Sequence, residues 1–161
     1  MSSVLDKLPM TTRGKAMLEA ELKKLTVEDR QQVIKAIEEA RAHGDISENA
    51  EYDAAKERQG MIEGRIGELQ TKLATAEVVD VPTLKSDRIV FGATVKIMDS
   101  ETEEEHTYQI VGVDEADVKQ GMISVLSPLA RALIGKKVGD PVLVQSPKGD
   151  KDYEVIHFEF K

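Results

Sequence analysis

The sequence predicts an α+β protein in which an N-terminal antiparallel helical hairpin is followed by a C-terminal domain with an antiparallel sheet. Residues 1–79 are rich in strong helix formers and contain one proline, Pro9. Apolar residues recur at helical spacing there, whereas beyond Val78 they alternate as in strands. Pro82 marks the change. We therefore expect a coiled-coil finger over 1–79 and a globular domain over 80–161.

The first helix of the finger is predicted to begin after Thr11, a suitable N-cap, and to end at Gly44. Its apolar positions step by four and three residues, then by eight, then again by four and three; they are Leu18, Leu22, Leu25, Val33, Ile37 and Ala40. The step of eight interrupts the pattern. It predicts a local kink or stutter between Leu25 and Val33.

The second helix has a more regular apolar seam, with steps that alternate between three and four residues. The seam consists of Tyr52, Ala55, Gln59, Ile62, Ile66, Leu69, Leu73 and Ala76. Two helices of about 30 residues, each about 45 Å long, joined by a short connection are expected to pack side by side and antiparallel. The same seam could instead join two chains, so a coiled-coil dimerisation protein is an alternative.

Short strands are predicted for the globular domain, over residues 91–98, 107–113, 123–126, 141–145 and 153–160. The acidic segment 99–105 is expected to be a solvated hairpin loop. A short helix is expected over residues 127–134, with Ser127 as its N-cap and Pro128 at its first position.

Composition excludes several classes of function. The chain has no Cys, which rules out disulfides, zinc-thiolate sites and iron–sulfur clusters. Its three His residues fall in different elements, and it has no phosphate-binding Gly-rich loop or nucleophile motif, which argues against a self-contained enzyme. A net charge of −8 disfavours independent binding to nucleic acid. No apolar run reaches the ~18–20 residues of a membrane helix and no signal peptide is visible, so a cytoplasmic location is expected.

The turn of the finger offers two explanations for its acidic residues. Asp45 and Glu48 have the spacing of a capping box, in which Asp45 accepts from the N3 amide of the second helix. The same carboxylates are flanked by Arg41 and Lys56, a combination that suits a hydrated Mg²⁺ ion beside phosphates. Two carboxylates alone would hold Mg²⁺ weakly. They would act only in a site that already supplies a metal and a phosphodiester.

Three blocks of the sequence, residues 39–57, 91–95 and 127–136, resemble the Gre family of bacterial transcript cleavage factors, and the resemblance covers essentially the whole chain. It implies a finger that enters the secondary channel of RNA polymerase and an FKBP-like C-terminal domain that docks at the channel rim. It also implies that the chain stimulates the polymerase's own Mg²⁺-dependent cleavage of backtracked RNA and so rescues arrested complexes. The expected partners are RNA polymerase and the extruded RNA 3′ end, with no membrane, and the chain is expected to be a monomer.

The resemblance assigns roles to three groups of residues: the catalytic tip acids Asp45 and Glu48, the basic residues Arg41 and Lys56, and the docking residues Leu126, Ser127 and Pro128. The tip acids would share a Mg²⁺ ion of the polymerase active site and position the attacking water. The chain alone is expected to bind no cofactor. The family also brings an expectation of DNA binding, which the net charge makes a poor prospect for the isolated chain.

The sequence departs from the family pattern midway along the first helix, where Arg30-Gln31 replaces a common Arg-Pro pair. The long cationic stripe of the GreB branch is absent, which favours the other branch's preference for short extruded RNA fragments. Two further alternatives stay open. One is a channel-binding inhibitor of polymerase; the other is a peptidyl-prolyl isomerase, although the domain has few aromatic residues to line a proline pocket.

Overall fold

The computed structural model describes residues 8–44 and 49–161. The helices are α1 (Thr12–Lys24), α2 (Arg30–Arg41), α3 (Ala50–Thr75) and α4 (Pro128–Leu133), with a π-helical segment, Leu25–Asp29, between α1 and α2. The strands are β1 (Pro9–Thr11), β2 (Glu77–Val79), β3 (Thr94–Asp99), β4 (Glu105–Val111), β5 (Met122–Ser124), β6 (Pro141–Val144) and β7 (Lys151–Glu159). Two compact units form, one within residues 15–75 and one that joins residues 76–161 to residues 8–14.

The first unit is a helical hairpin whose two arms run antiparallel. Arg65 Nη2 on α3 lies 2.8 Å from Glu21 Oε2 on α1, and Glu63 Oε1 lies 2.9 Å from Arg30 Nη2 on α2. Residue numbers fall along α3 as they rise along the facing arm, which is the signature of antiparallel packing. The Glu21 carboxylate, by hydrogen bonding to the guanidinium, raises the pKa of Arg65. The predicted antiparallel hairpin is confirmed.

The apolar seam of the hairpin packs within one chain. Val33 on α2 forms a buried cluster with Ile62 and Ile66 on α3, and Leu22 and Leu25 pack against it. All five are predicted seam positions. Helix propensity alone would not hold α3, which contains three glycines, so this buried seam supplies the stabilisation.

The interrupted spacing of the first arm has a definite structural cause. Residues Leu25–Asp29 form a π-helical turn, closed by a hydrogen bond from Arg30 N to Leu25 O. The Thr26 hydroxyl donates to Leu22 O at 2.9 Å and to Lys23 O at 3.2 Å. In a regular α-helix these carbonyls would accept from backbone amides instead. A π turn holds about one more residue than an α turn. Two successive turns, one of them π-helical, then hold about eight residues instead of about seven. Leu25 and Val33, which are eight residues apart, therefore both stay in the seam, and no proline is needed to explain the interrupted spacing.

The second unit is built on a five-stranded sheet with the order β5-β4-β3-β7-β6. Neighbouring strands are antiparallel except β4 and β5, which are parallel. The prediction of a wholly antiparallel sheet is therefore corrected at this one pair. The ten residues between β4 and β5 return the chain to the starting end of β4, as a parallel connection requires.

An apolar core lies between this sheet and α4. Its buried members are Ile89, Ala93, Val95, Ile97, Ile110, Ile123, Ala130, Leu133, Val142 and Val155. The aromatic residues predicted to be too few for a proline pocket pack against this core; they are Phe91, Tyr108, Tyr153, Phe158 and Phe160. Their rings thus contribute to the interior of the domain.

The segment before α1 belongs to the same unit, which the sequence did not indicate. Strand β1 pairs in parallel with β2, in a register that places Met10 opposite Val78. The Glu115 side chain, in a residue only 4% exposed, accepts hydrogen bonds from Thr11 N at 3.1 Å, from the Thr11 hydroxyl and from Gly112 N at 3.3 Å. Thr11 also accepts from Gly14 N at 3.1 Å, which confirms it as the N-cap of α1.

Candidate functional site

The connection between α2 and α3 carries the two acids that the sequence singled out. After Arg41 the chain makes one further turn, with hydrogen bonds from His43 N to Ala40 O and from Gly44 N to Arg41 O, both at 3.2 Å. Gly44 has φ +101°, a left-handed conformation suited to glycine, and it stops the helix as predicted. Asp45 and Glu48 lie outside the described residues. The structure defines the ends of their connection, Gly44 and Asn49.

The N-cap of α3 is Asn49, a residue outside the predicted site. Its Oδ1 accepts from Tyr52 N, the N3 amide of α3, at 3.1 Å. Its Nδ2 donates to Ala40 O, near the end of α2, at 2.6 Å. The N3 amide of α3 is thus taken by Asn49, whereas the capping box predicted for Asp45 and Glu48 falls on residues outside those described. The signal that could have found the cap was an Asn directly before a run of helix formers.

The two predicted basic residues stand on different arms of the hairpin, and both are exposed. Arg41 ends α2, and its guanidinium carbon lies 5.9 Å from the centre of the Tyr52 ring, a cation–π contact. Lys56 lies on the second turn of α3, where its Nζ donates to Gln59 Oε1 at 3.1 Å. Within residues 8–44 and 49–161, neither cation forms an ion pair with a carboxylate.

The three predicted docking residues lie together in the turn that leads into α4. Ser127 is the N-cap of α4, as predicted, since its Oγ accepts from Ala130 N at 3.3 Å. The same hydroxyl donates to Ser124 O at 2.7 Å. Leu126 is 38% exposed. It lines, with Pro128, Arg131, Leu143 and Gln145, an open groove of about 360 Å³. We call this feature the α4 groove.

The described part of the chain holds neither a metal-binding cluster nor a membrane-spanning helix. No group of three or more His, Cys, Asp or Glu side chains within residues 8–44 and 49–161 is placed to hold a metal ion. No helix in these same ranges is long and apolar enough to cross a bilayer. The two features described above are a helical hairpin with charged residues beside its turn and a groove of mixed polar and apolar lining on the globular unit.

Comparison with known proteins agrees with these features. Residues 8–78 match the family model described as "Transcription elongation factor, N-terminal", and residues 84–160 match the one described as "Transcription elongation factor, GreA/GreB, C-term". The chain belongs to the GreA/GreB family of transcription elongation factors. The two matches meet near Pro82, where the sequence changes from helical to strand periodicity.

Curated members of the family align over nearly the whole chain. The transcription elongation factor GreA of Thioalkalivibrio sulfidiphilus is 58% identical over 97% of this chain and 99% of its own. That of Hyphomonas neptunium is 59% identical over 98% and 100%. Among solved structures, that of GreA factor homolog 1 of Thermus thermophilus is 27% identical, covers 95% of this chain and 99% of its own, and has a TM-score of 0.44. The resemblance to the family, and to GreA within it, is confirmed.

Proposed function

We propose that this member of the GreA/GreB family acts in the cytoplasm by inserting its hairpin into the secondary channel of RNA polymerase. There it stimulates the polymerase's own cleavage of backtracked RNA and releases arrested complexes. On this proposal the chain is no enzyme by itself. It is a monomer that supplies two carboxylates to the active site of another protein.

The observation that carries the proposal is the cap of α3. Acidic residues are common at helix N-termini because they cap free amides and interact favourably with the helix dipole. This is the competing, purely structural explanation for Asp45 and Glu48. Because Asn49 accepts the N3 amide of α3, this hydrogen bond of the helix start does not require an acid at Asp45. The two acids are nevertheless fixed by sequence in the short connection between the arms, with Arg41 and Lys56 on the arms beside them.

The chemistry fits a factor that completes a metal site. In two-metal cleavage of a phosphodiester, one ion generates the attacking hydroxide and the other stabilises the leaving oxygen. Asp45 and Glu48 would provide oxygen ligands to a Mg²⁺ ion shared with polymerase and orient the water. Arg41 and Lys56 would face the RNA phosphates as cations, which matches their exposure.

The deciding experiment is cleavage of a stalled, backtracked polymerase with and without this protein. We expect release of a short 3′ RNA fragment at a rate that rises with the concentration of the protein. Asp45→Asn and Glu48→Gln should remove most of the stimulation and leave affinity for polymerase nearly unchanged. Asp53→Asn, which neutralises an exposed acid in the first turn of α3, is the matched control and should keep full stimulation. Cleavage that survives both tip substitutions would exclude this role, and inhibition without a fragment would indicate a channel-binding inhibitor.

The α4 groove gives a second test, which separates binding from cleavage. Leu126→Ala and Pro128→Ala should weaken binding to polymerase, because they remove apolar surface from the groove wall. Val138→Ala, at an apolar residue 57% exposed that does not line the groove, is the control. Ser127→Ala needs a stability measurement alongside, since this hydroxyl also caps α4. Unchanged affinity for the two groove variants would place the docking surface elsewhere.

A further inference from the structure

We infer that Asn49 is a positioning residue for RNA cleavage, because its side chain ties the end of α2 to the start of α3 directly beside the connection that carries the tip acids. The inference rests on the proposed function. It adds to that function a residue that contacts neither metal nor RNA and acts by holding the ends of the connection. We call the arrangement of Asn49, Ala40 and Tyr52 the tip clamp.

The geometry of the tip clamp depends on both halves of one amide group. Asn49 Oδ1 receives the Tyr52 amide at 3.1 Å, and Asn49 Nδ2 reaches Ala40 O at 2.6 Å. The Ala40 carbonyl also accepts from His43 N at 3.2 Å, and Ala40 is buried. The amide therefore joins two helix ends through a carbonyl that cannot move freely.

The choice of amino acid supports a bridging role. Ser, Asp and Asn serve about equally well as N-caps, because each presents an acceptor to the N3 amide. Of these, Asn alone combines that acceptor with an N–H₂ donor for the carbonyl of the other helix. An ordinary cap would not require the amide, whereas a link between the two arms does.

The position of the clamp gives it a consequence for chemistry. Asn49 is the residue directly after Glu48, and Ala40 precedes Asp45 by five positions. Fixing the two ends of a short connection restricts where its side chains can be placed. In catalysis such restriction matters because a displacement of about 1 Å can cost about a hundredfold in rate. A clamp beside the acids would therefore act on the rate of the bound complex more than on binding.

The test compares variants that separate capping from bridging. Asn49→Ser keeps an acceptor for Tyr52 N and replaces the amide N–H₂ that reaches Ala40 O by a hydroxyl one bond closer to the backbone, without adding charge. Asn49→Asp keeps the acceptor, removes the donor altogether and adds a negative charge. Glu63→Gln is the matched control, since it weakens another polar contact between the arms, the pair with Arg30 Nη2 at 2.9 Å, far from the turn. For each protein we would measure the cleavage rate constant at saturating protein, the protein concentration at half-maximal rate, the Mg²⁺ dependence and the melting temperature.

We expect both Asn49 variants to lose about tenfold or more in saturating rate, within the range that misplacement produces. The half-maximal protein concentration should stay within about twofold, and more Mg²⁺ should be needed, while Glu63→Gln keeps the wild-type rate. Hydrogen exchange of the Tyr52 amide should remain slow in Asn49→Ser, which shows that the cap persists.

Two kinds of result would overturn the inference. If wild type stimulates cleavage and Asn49→Ser matches it, Asn49 is only a cap. Asn49 is likewise only a cap if the fall in cleavage rate of the variant is fully explained by a matching fall in its affinity for polymerase or in its melting temperature, because a weakened hairpin would give that result. If wild type itself gives no stimulation, the proposed function fails, and the role of Asn49 in cleavage fails with it.

Discussion

Replacing Glu115 by Ala tests how the segment before α1 is held in the globular unit. The Glu115 carboxylate is buried and accepts from Thr11 N, the Thr11 hydroxyl and Gly112 N. Its ion pair with Arg13, at 3.7 Å between Nε and Oε1, contributes little because the Arg13 side chain is 53% exposed. The carboxylate thus holds together residues 104 positions apart in the sequence.

The expected loss follows from these contacts. Hydrogen bonds to a charged group contribute about 1.5–3 kcal/mol each, and their contributions do not simply add. Removing the carboxylate leaves the buried donors of Thr11 and Gly112 without their acceptor, at a cost of about 1–3 kcal/mol for each unsatisfied group. Allowing for incomplete additivity, we expect Glu115→Ala to lower the free energy of unfolding of the globular unit by about 3–5 kcal/mol. Glu115→Gln, which keeps one acceptor oxygen, should lose less.

Native-state hydrogen exchange is the suitable assay, because it reports each amide separately in a chain of two units. A loss of about 3 kcal/mol speeds exchange at Thr11 N and Gly112 N by about a hundredfold. The control is Glu105→Ala, which removes an exposed pair with Lys96 at 3.3 Å and should cost less than about 1 kcal/mol. If Glu115→Ala changed stability by no more than this control, the buried carboxylate would not be what holds the N-terminal segment.

Three further predictions concern single positions. Ile66→Ala should destabilise the hairpin by about 2–5 kcal/mol in chemical denaturation, whereas the exposed Met61→Ala should have little effect; equal effects would contradict the assigned seam. Gly14→Ala should destabilise the globular unit, because an added Cβ would lie 2.7 Å from Glu115 Cγ; unchanged melting would show that the side chain can move aside. Asp99 accepts from two backbone amides of its own turn, at 2.9 and 3.3 Å, and these hydrogen bonds lower the pKa of its carboxyl group. The stability that they confer should be present above the unfolded-state pKa and lost as pH falls through the folded-state pKa. An NMR titration that gives an ordinary pKa for Asp99 would refute this.

The elements predicted correctly are those whose signals are local. Thr11 and Ser127 were identified as N-caps from the residues beside them, and both make the expected hydrogen bond. The helical seam and the strands of the globular unit follow from periodicity, which short-range sequence displays directly. The acidic loop between β3 and β4 also follows from composition.

The features that were missed depend on contacts between distant residues. Nothing near Pro9 indicates that β1 will pair with β2, and nothing near Glu115 indicates that its carboxylate will bind Thr11. The parallel pairing of β5 with β4 is likewise decided by the path of the chain between them. The tip residues Asp45 and Glu48 lie outside the described residues, so their assigned role rests on the family and on the proposal above.

The cap of α3 shows why local rules left the finger turn undecided. Asp45, Ser47 and Asn49 are all good N-cap residues, and the spacing of Asp45 and Glu48 favours the first of them. What selects Asn49 is the second hydrogen bond, to Ala40 O on the other arm, which neither Asp nor Ser can donate in the same way. The choice is therefore made by packing of the two arms. Asn49 makes the N-cap hydrogen bond of α3, so the substitutions at Asp45 and at Asn49 test two separate things: the proposed chemistry of the tip acid and the link that holds the two arms together.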